Sequence, residues 1–333
     1  MKEQTTAAIK EPGKLIEVAD LTKSFDSVEA VNGITFNVSQ GEVFGFLGPN
    51  GAGKTTTINM LTGLARPDSG NIRIAGLDFS ANPKAAQHLI GVVPDESNLY
   101  PELTGYENLC FCASLYGISK REREVRTDKL LKQFDLQKAA HRRFSGYSKG
   151  MKRKLTIAAG IIHQPDILFL DEPTTGIDVA SARQIRQLIS ELYQSGTTIF
   201  LTTHYIEEAE RLCERIAFIV DGHIVCNESV SSLLQPIHER KVLLIAVDGN
   251  ISGITGKLAE AFPGYTFRKV SGRQLRVESA QTISIGPVVR FIEEQKAEVT
   301  EARQIKPSLE DVFVDVTGIE TEAMKKEKNG GSL

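Results

Sequence analysis

The apolar positions change their spacing along the chain. From Leu15, short apolar runs alternate with stretches of helical period, a pattern that predicts a parallel sheet flanked by helices. Three runs are informative. Glu42 to Leu47 leads into a glycine-rich turn. Ile167 to Leu170 is apolar without alternation, as a strand buried on both faces should be. Thr198 to Thr203 is similar and ends at His204. Ligands in open α/β sheets gather beyond the carboxyl ends of strands, and all three runs deliver polar residues there. Between residues 100 and 160, Leu109, Leu115, Leu130, Leu131 and Phe134 sit in charged helical stretches. They predict a helical subdomain, about 96–160, inserted between the glycine-rich turn and the central carboxylate strand.

Near residue 235 the pattern changes again. Lys241 to Val247 reads as a strand, Ile254 to Phe262 as a helix, and Tyr265 to Val270 with Gln274 to Val277 as a strand pair turning at Ser271-Gly272. Ile285 to Gln295 is helical, Glu298 to Ile305 extended, and Leu309 to Val316 a final helix. That order, β-α-β-β-α-β, predicts a small ferredoxin-like α+β domain. The expected division is therefore a first domain over 14–234 and an accessory domain over 239–318. A loose polar lead-in over 1–13 and a charged, glycine-ended, disordered tail over 319–333 flank them.

Composition alters this picture little. The 333 residues are 41% hydrophobic and 24% charged, ordinary for a globular protein. The net charge of −3 provides no global basic field, so no nucleic-acid partner is expected. Cys110, Cys112, Cys213 and Cys226 form no C-x-x-C pair and read as free thiols in a reducing compartment. No apolar run has the length of a membrane span, and the first residues lack the apolar core of a signal peptide. The expected place is cytoplasmic, with any membrane role exercised through a partner.

The chemistry concentrates at four places. Gly48-Pro49-Asn50-Gly51-Ala52-Gly53-Lys54-Thr55 fits G-x-x-x-x-G-K-[ST] between a strand and a helix. Its backbone N–H groups and helix N-terminus suit phosphate oxygens. Lys54 would neutralise the β- and γ-phosphates, Thr55 would ligate Mg²⁺, and Thr56 would add a phosphate contact. Asp171 and Glu172 follow the buried run Ile167–Leu170. They fit a Mg²⁺ ligand and the acceptor of the attacking water's proton, and equally a helix N-cap before Pro173. His204, beyond the third strand, would contact the γ-phosphate; a lone histidine is more often structural. Ser148 N-caps a helix in Tyr147-Ser148-Lys149-Gly150-Met151, and Lys152-Arg153-Lys154 after it reads as a solvated basic face.

Taken together, these residues resemble the ATP-binding cassette (ABC) family from about Leu15 to Val230. The phosphate loop resembles its Walker A motif and Asp171-Glu172 its Walker B pair. Gly176-Ile177-Asp178 resembles the D-loop, His204 the switch histidine, and Tyr147 to Met151 a variant of the signature motif. Phe25 matches the aromatic that stacks on adenine. The resemblance implies a P-loop NTPase fold that uses ATP and Mg²⁺, with Glu172 as general base and Lys54 and His204 completing the catalytic set. It also implies a head-to-tail pair of cassettes, expected as a homodimer with a second cassette type as the alternative, in which Ser148 and Gly150 cap the γ-phosphate bound to the other chain. Asp178 would lie at that nucleotide interface.

This sequence departs from the family twice. After Ile90-Gly91-Val92-Val93-Pro94 the usual glutamine is replaced by Asp95, shorter and charged, and still able to approach Mg²⁺. Lys149 stands where the signature usually has glycine and is expected to point into solvent. Pro307 to Phe313 and Leu99 to Leu109 resemble cassette subunits of drug and ion exporters (the ABC-2 type), which pair with separately encoded membrane permeases. The expected role is thus an ATPase driving export from the cytoplasmic face of a membrane. The competing reading is a soluble cassette ATPase acting on the ribosome or on nucleic acid.

Overall fold

Residues 13–79, 83–238, 240–249 and 253–319 are described by the computed structural model, and they divide into one unit ending at Glu228 and another of Ser229–Gly318. All of the polar lead-in but Gly13, and all of the tail but Ile319, lie outside the described residues. In chain order the first unit contains β1 (Lys14–Phe25), β2 (Val28–Ser39), β3 (Val43–Leu47), α1 (Lys54–Leu61), β4 (Ser69–Ile74), β5 (Leu77–Asp78) and β6 (Ile90–Val93). Three helices follow, α2 (Gly105–Leu115), α3 (Lys120–Gln133) and α4 (Lys149–Ile161). The unit continues with β7 (Ile167–Asp171), α5 (Val179–Gln194), β8 (Thr198–Thr203), α6 (Ile206–Leu212), β9 (Arg215–Val220) and β10 (His223–Ser229).

The expectation of strand–helix alternation from Leu15 needs correction. β1 and β2 are each 12 residues long and pair antiparallel, and β4 joins the other edge of β1, giving the sheet order β2-β1-β4-β5. Along β1 the buried positions Ile16 and Val18 alternate with partly exposed ones, the period of a sheet with one covered face. The second sheet has the order β10-β9-β3-β8-β7-β6, with β9, β3, β8, β7 and β6 mutually parallel. Every residue of β3, β7 and β8 is buried, which explains their unbroken apolar runs.

Aromatic rings join the two sheets. Phe36 on β2 lies 5.6 Å from both Phe44 and Phe46 on β3, and Phe200 on β8 is 5.5–6.0 Å from Phe36, Phe44, Phe46 and Phe169. This packing fixes where β3, β7 and β8 end, and so where their polar termini meet.

Four of the helices begin with side-chain caps. Thr104 and Glu107 form a reciprocal capping box at α2, while Ser119, Ser148 and Asp178 cap α3, α4 and α5. Asn108, fully buried, accepts from Tyr100 N–H at 2.9 Å and donates to Tyr100 O and Thr104 O at 3.0 Å. It thereby pins the loop Leu99–Thr104 onto α2. α4 meets β6 backbone to backbone. A Cβ added at Gly91 would stand 2.2 Å from the carbonyl oxygen of Gly160, so only glycine permits this approach.

The second unit contains α7 (Val230–His238), β11 (Lys241–Asp248), α8 (Ile254–Ala261), β12 (Thr266–Ser271), β13 (Gln274–Ser279), α9 (Ile285–Glu294), β14 (Glu298–Ile305) and α10 (Leu309–Thr317). Its sheet runs β12-β13-β11-β14 with every neighbouring pair antiparallel. Leu243, Ile245 and Val247 alternate inward on β11 and share a core with Leu258, Leu275, Val277, Val288 and Ile292. α7 packs against α10, so the division falls at Glu228/Ser229, ahead of the expected 234. Within Pro307–Phe313, Asp311 accepts from Ser308 N–H at 2.7 Å and holds Arg276 at 2.6 Å, tying the start of α10 to β13. Among the described residues no helix is long and apolar enough to cross a membrane.

The five-ring cluster yields a stability prediction. Phe200→Ala should destabilise the first unit by about 3–5 kcal/mol, the usual cost of deleting a buried ring. A fall in the urea midpoint at constant m-value would show it. An unchanged midpoint would mean the cluster does not hold the sheets together.

Candidate functional site

Gly53 shapes the turn between β3 and α1. Its φ of 104° is the left-handed side of backbone space, and a Cβ there would stand 2.3 Å from the carbonyl oxygen of Ala30. The loop 48–53 therefore closes against the sheet and leads directly into Lys54, the first residue of α1. The buried Lys54 ammonium donates to Gly48 O at 2.8 Å and Pro49 O at 3.0 Å, and stands 3.7 Å from Glu172 Oε1. Thr55 is exposed, and its hydroxyl donates to Asp171 Oδ2 at 3.0 Å.

The parallel pairing of β7 with β8 sets Asp171 opposite Thr202. The Thr202 hydroxyl donates to Asp171 Oδ1, and the next peptide N–H, that of Glu172, donates to Thr202 O at 3.1 Å. Glu172 has φ of 50°, uncommon for a residue with a Cβ. Its Oε2 accepts from the Thr175 hydroxyl at 2.8 Å and lies 2.7 Å from Nδ1 of the buried His204. An ionised carboxylate only accepts, so Nδ1–H of His204 is the donor.

The two adjacent acids titrate in opposite directions. Burial pushes Asp171 above the ordinary aspartate value, against its threonine hydrogen bonds, and the charges of Glu172 and Asp95 add to the rise. Burial also acts to raise Glu172. There it is outweighed by the His204 hydrogen bond and charge, by Lys54 and by Thr175, and the net shift is downward. Glu172 is thus held as a carboxylate able to accept a proton.

Two groups given no role at the site by the sequence complete the surroundings, Arg153 and Glu208. Arg153, expected on a solvated face, is 7% exposed. Its guanidinium donates to Pro94 O at 2.6 Å, to the carbonyl of Asp95, and at 3.4 Å to Asp95 Oδ1 and Glu172 O. Lys154 is buried as well, so the basic run is solvated only in part. Glu208 on α6 accepts from Thr174 at 2.9 Å, two residues after Glu172, and from Thr203 at 3.2 Å, next to His204. The clue to Glu208 is its place between the inward residues Ile206 and Ala209. Nothing in the sequence sets Arg153 apart from Lys152.

The remaining expected residues lie elsewhere in the unit. Ser148 is exposed, its hydroxyl accepting from Met151 N–H at 3.2 Å as the N-cap of α4. Lys149 is exposed and Gly150 buried. Asp178 is exposed, and both of its carboxylate oxygens accept from Ser181, one from the N–H at 2.9 Å and the other from the hydroxyl at 2.7 Å. Phe25 ends β1 at the hairpin, 51% exposed, with the Lys23 ammonium 5.3 Å from its ring centre. Asp95 is partly exposed beside Arg153.

The donor set suits Mg²⁺ with a triphosphate. Mg²⁺ takes oxygen ligands, keeps several waters, and is usually bound by one or two carboxylates plus substrate phosphates. The Thr55–Asp171 pair offers such oxygens at the mouth of a loop whose N–H groups suit phosphate.

Comparison with known proteins agrees with this geometry. A family model described as ABC transporter matches residues 31–175. The chain is 36% identical over 311 residues to the daunorubicin/doxorubicin resistance ATP-binding protein DrrA of Streptomyces peucetius, covering 92% of this chain and 94% of the relative. It is 36% identical to the Nod factor export ATP-binding protein I of Rhizobium etli, covering 92% and 94%. It is 37% identical to the linearmycin resistance ATP-binding protein LnrL of Bacillus subtilis, covering 71% and 76%. Among solved structures, an ATP-binding subunit of an ABC transporter superposes with TM-score 0.61 at 32% identity, over 67% of this chain and 92% of that one. A dimeric ATP-binding cassette in a post-hydrolysis state, bound to ADP and Pi, superposes with TM-score 0.60 at 27% identity, over 64% and 98%. With a phosphate loop, a glutamate and its histidine partner at one sheet edge, and two relatives matched along 94% of their length, the chain belongs to the ABC transporter family as an ATP-binding, ATP-hydrolysing subunit.

Proposed function

We propose that the chain hydrolyses Mg²⁺-ATP with Glu172 as general base and drives export through a separately encoded membrane permease. The observation that carries the catalytic part is the buried Glu172–His204 contact of 2.7 Å beside Lys54 and Asp171. Lys54 neutralises the β- and γ-phosphates, and the loop 48–53 with Thr56 cradles them. Thr55 and Asp171 hold Mg²⁺, with Asp95 close enough to Asp171 to add charge to the same region. The metal supplies charge neutralisation at the phosphates. Glu172 takes the proton of the attacking water, and His204 fixes the carboxylate while facing the γ-phosphate. Phe25 stacks on the adenine.

The dimeric solved cassette supports pairing with a second copy of this chain. In that pair the exposed N-terminus of α4, with Ser148 and Gly150, caps the γ-phosphate of the other chain, and Asp178 lies at the same interface. ATP binding closes the pair and hydrolysis reopens it, moving the attached permease. The printed roles of DrrA, the Nod factor protein and LnrL in resistance and export favour an exporter at the cytoplasmic face of a membrane. The second unit we read as ferredoxin-like. Its sheet order β12-β13-β11-β14 places each strand of a β-α-β pair on either side of an antiparallel neighbour.

Glu172→Gln should bind ATP and lose about 10²–10⁴ in turnover, the usual contribution of a general base. Parental turnover would refute the assignment. Lys54→Ala should lose nucleotide affinity, because it removes the cation from the phosphate loop; fluorescent-nucleotide titration reads this, and normal affinity would count against the loop's role. Ser148→Arg should bind ATP yet form no closed pair by light scattering, and a closed pair would exclude capping from α4. Tagged protein from detergent-solubilised membranes should co-purify a polytopic chain without an ATPase site. Recovery of ribosomal proteins or nucleic acid alone would move the function away from membranes.

A further inference from the structure

Arg153 is the one buried cation of α4 that reaches both the Asp95 segment and the general base. Four acceptors surround its guanidinium: the carbonyls of Pro94, Asp95 and Glu172 and the Asp95 carboxylate. The first two belong to the segment after β6 and the third to the residue after β7. Burying a guanidinium is costly unless its donors are met, and here the planar fork spans two strand ends that a lysine could not bridge. Burial lowers the hold of Arg153 on its proton, while the charges of Asp95, Asp171 and Glu172 oppose this. The replacement of the family's usual glutamine by Asp95 therefore gives the buried cation a carboxylate partner.

The same helix begins at Ser148, five positions earlier. Its exposed N-terminus and its buried guanidinium are parts of one rigid element, and α4 is pressed onto β6 through Gly91 and Gly160. We propose that Arg153 is a positioning residue for hydrolysis, setting the Glu172 main chain and Asp95 relative to α4. It thereby makes turnover in one chain sensitive to what the N-terminus of its own α4 touches. This rests on the general-base and pairing roles proposed above.

The test uses the purified full chain. Arg153→Met keeps the length and removes the fork. We expect kcat to fall about 10- to 100-fold, the scale of a slightly misplaced catalytic group, while ATP affinity measured with a fluorescent nucleotide stays within about twofold. A packing role alone would instead lower the melting temperature and spare kcat per folded molecule. Asp95→Asn should reduce kcat in the parent and add little to Arg153→Met, since the Asp95 carboxylate acts through its contact with Arg153. Parental kcat in Arg153→Met, or full additivity of the two changes, overturns the proposal. If Arg153→Met does not fold, Arg153→Lys decides: lowered kcat at unchanged affinity supports it, and parental kcat refutes it. Glu172→Gln is measured alongside. An active Glu172→Gln would remove the general-base role itself, whereas an inactive one beside a fully active Arg153→Met would remove only the role of Arg153.

Discussion

The pairing of β7 with β8 in parallel register is the constraint from which the site follows. It sets the Thr202 hydroxyl against Asp171 and the Thr202 carbonyl against the N–H of Glu172. Two carboxylates in sequence at a buried strand end would repel each other and lose hydration. The register resolves this by giving them different surroundings. Asp171 is met by hydroxyls and stays poised for a cation, while Glu172 turns aside with φ of 50° to meet histidine and lysine. A slip of one residue would exchange these partners and leave a buried charge unmet.

Below that edge, charge compensation continues in a second tier. Arg153 and Glu208 are both buried; Arg153 contacts the main chain of Glu172 and the Asp95 segment, and Glu208 contacts Thr174 and Thr203 near the catalytic pair. Glu208 Oε1 makes no hydrogen bond, with Arg186 at 4.0 Å as its ion-pair partner, and burial raises its affinity for a proton. Buried ionic groups of this kind contribute little net stability. Their presence is better explained by the geometry they impose on the Glu172–His204 contact.

Local chemistry made the first tier legible in the sequence. Glycine spacing, a lysine–threonine pair and an acidic pair after an unbroken apolar run are each short-range signals, and Lys54, Thr55, Asp171, Glu172 and His204 do converge at one edge. The strands β3, β7 and β8 and the elements from β11 to α10 lie within a residue or two of their expected limits, because alternation and helical period are local as well. What could not be read depended on contacts distant in sequence. Arg153 stands 58 positions from Asp95 and looked like one cation in a surface run. The hairpin after Phe25 is legible in the sequence, but the extent of the antiparallel sheet is not, because β1 and β2 carry several register shifts that break their alternation. The cap role of Asp178 toward Ser181 was equally open to recognition, since the two are neighbours on one turn.

The seam of Gly91 against Gly160 has a mechanical consequence. Because the two backbones meet with no side chain between them, α4 and β6 have nothing compressible at their contact and little room to slide. α4 thus ties the helices α2 and α3, on which it also packs, to the sheet. A side chain at Gly91 would push α4 away from β6, and with it the N-terminus of α4 away from the strand ends.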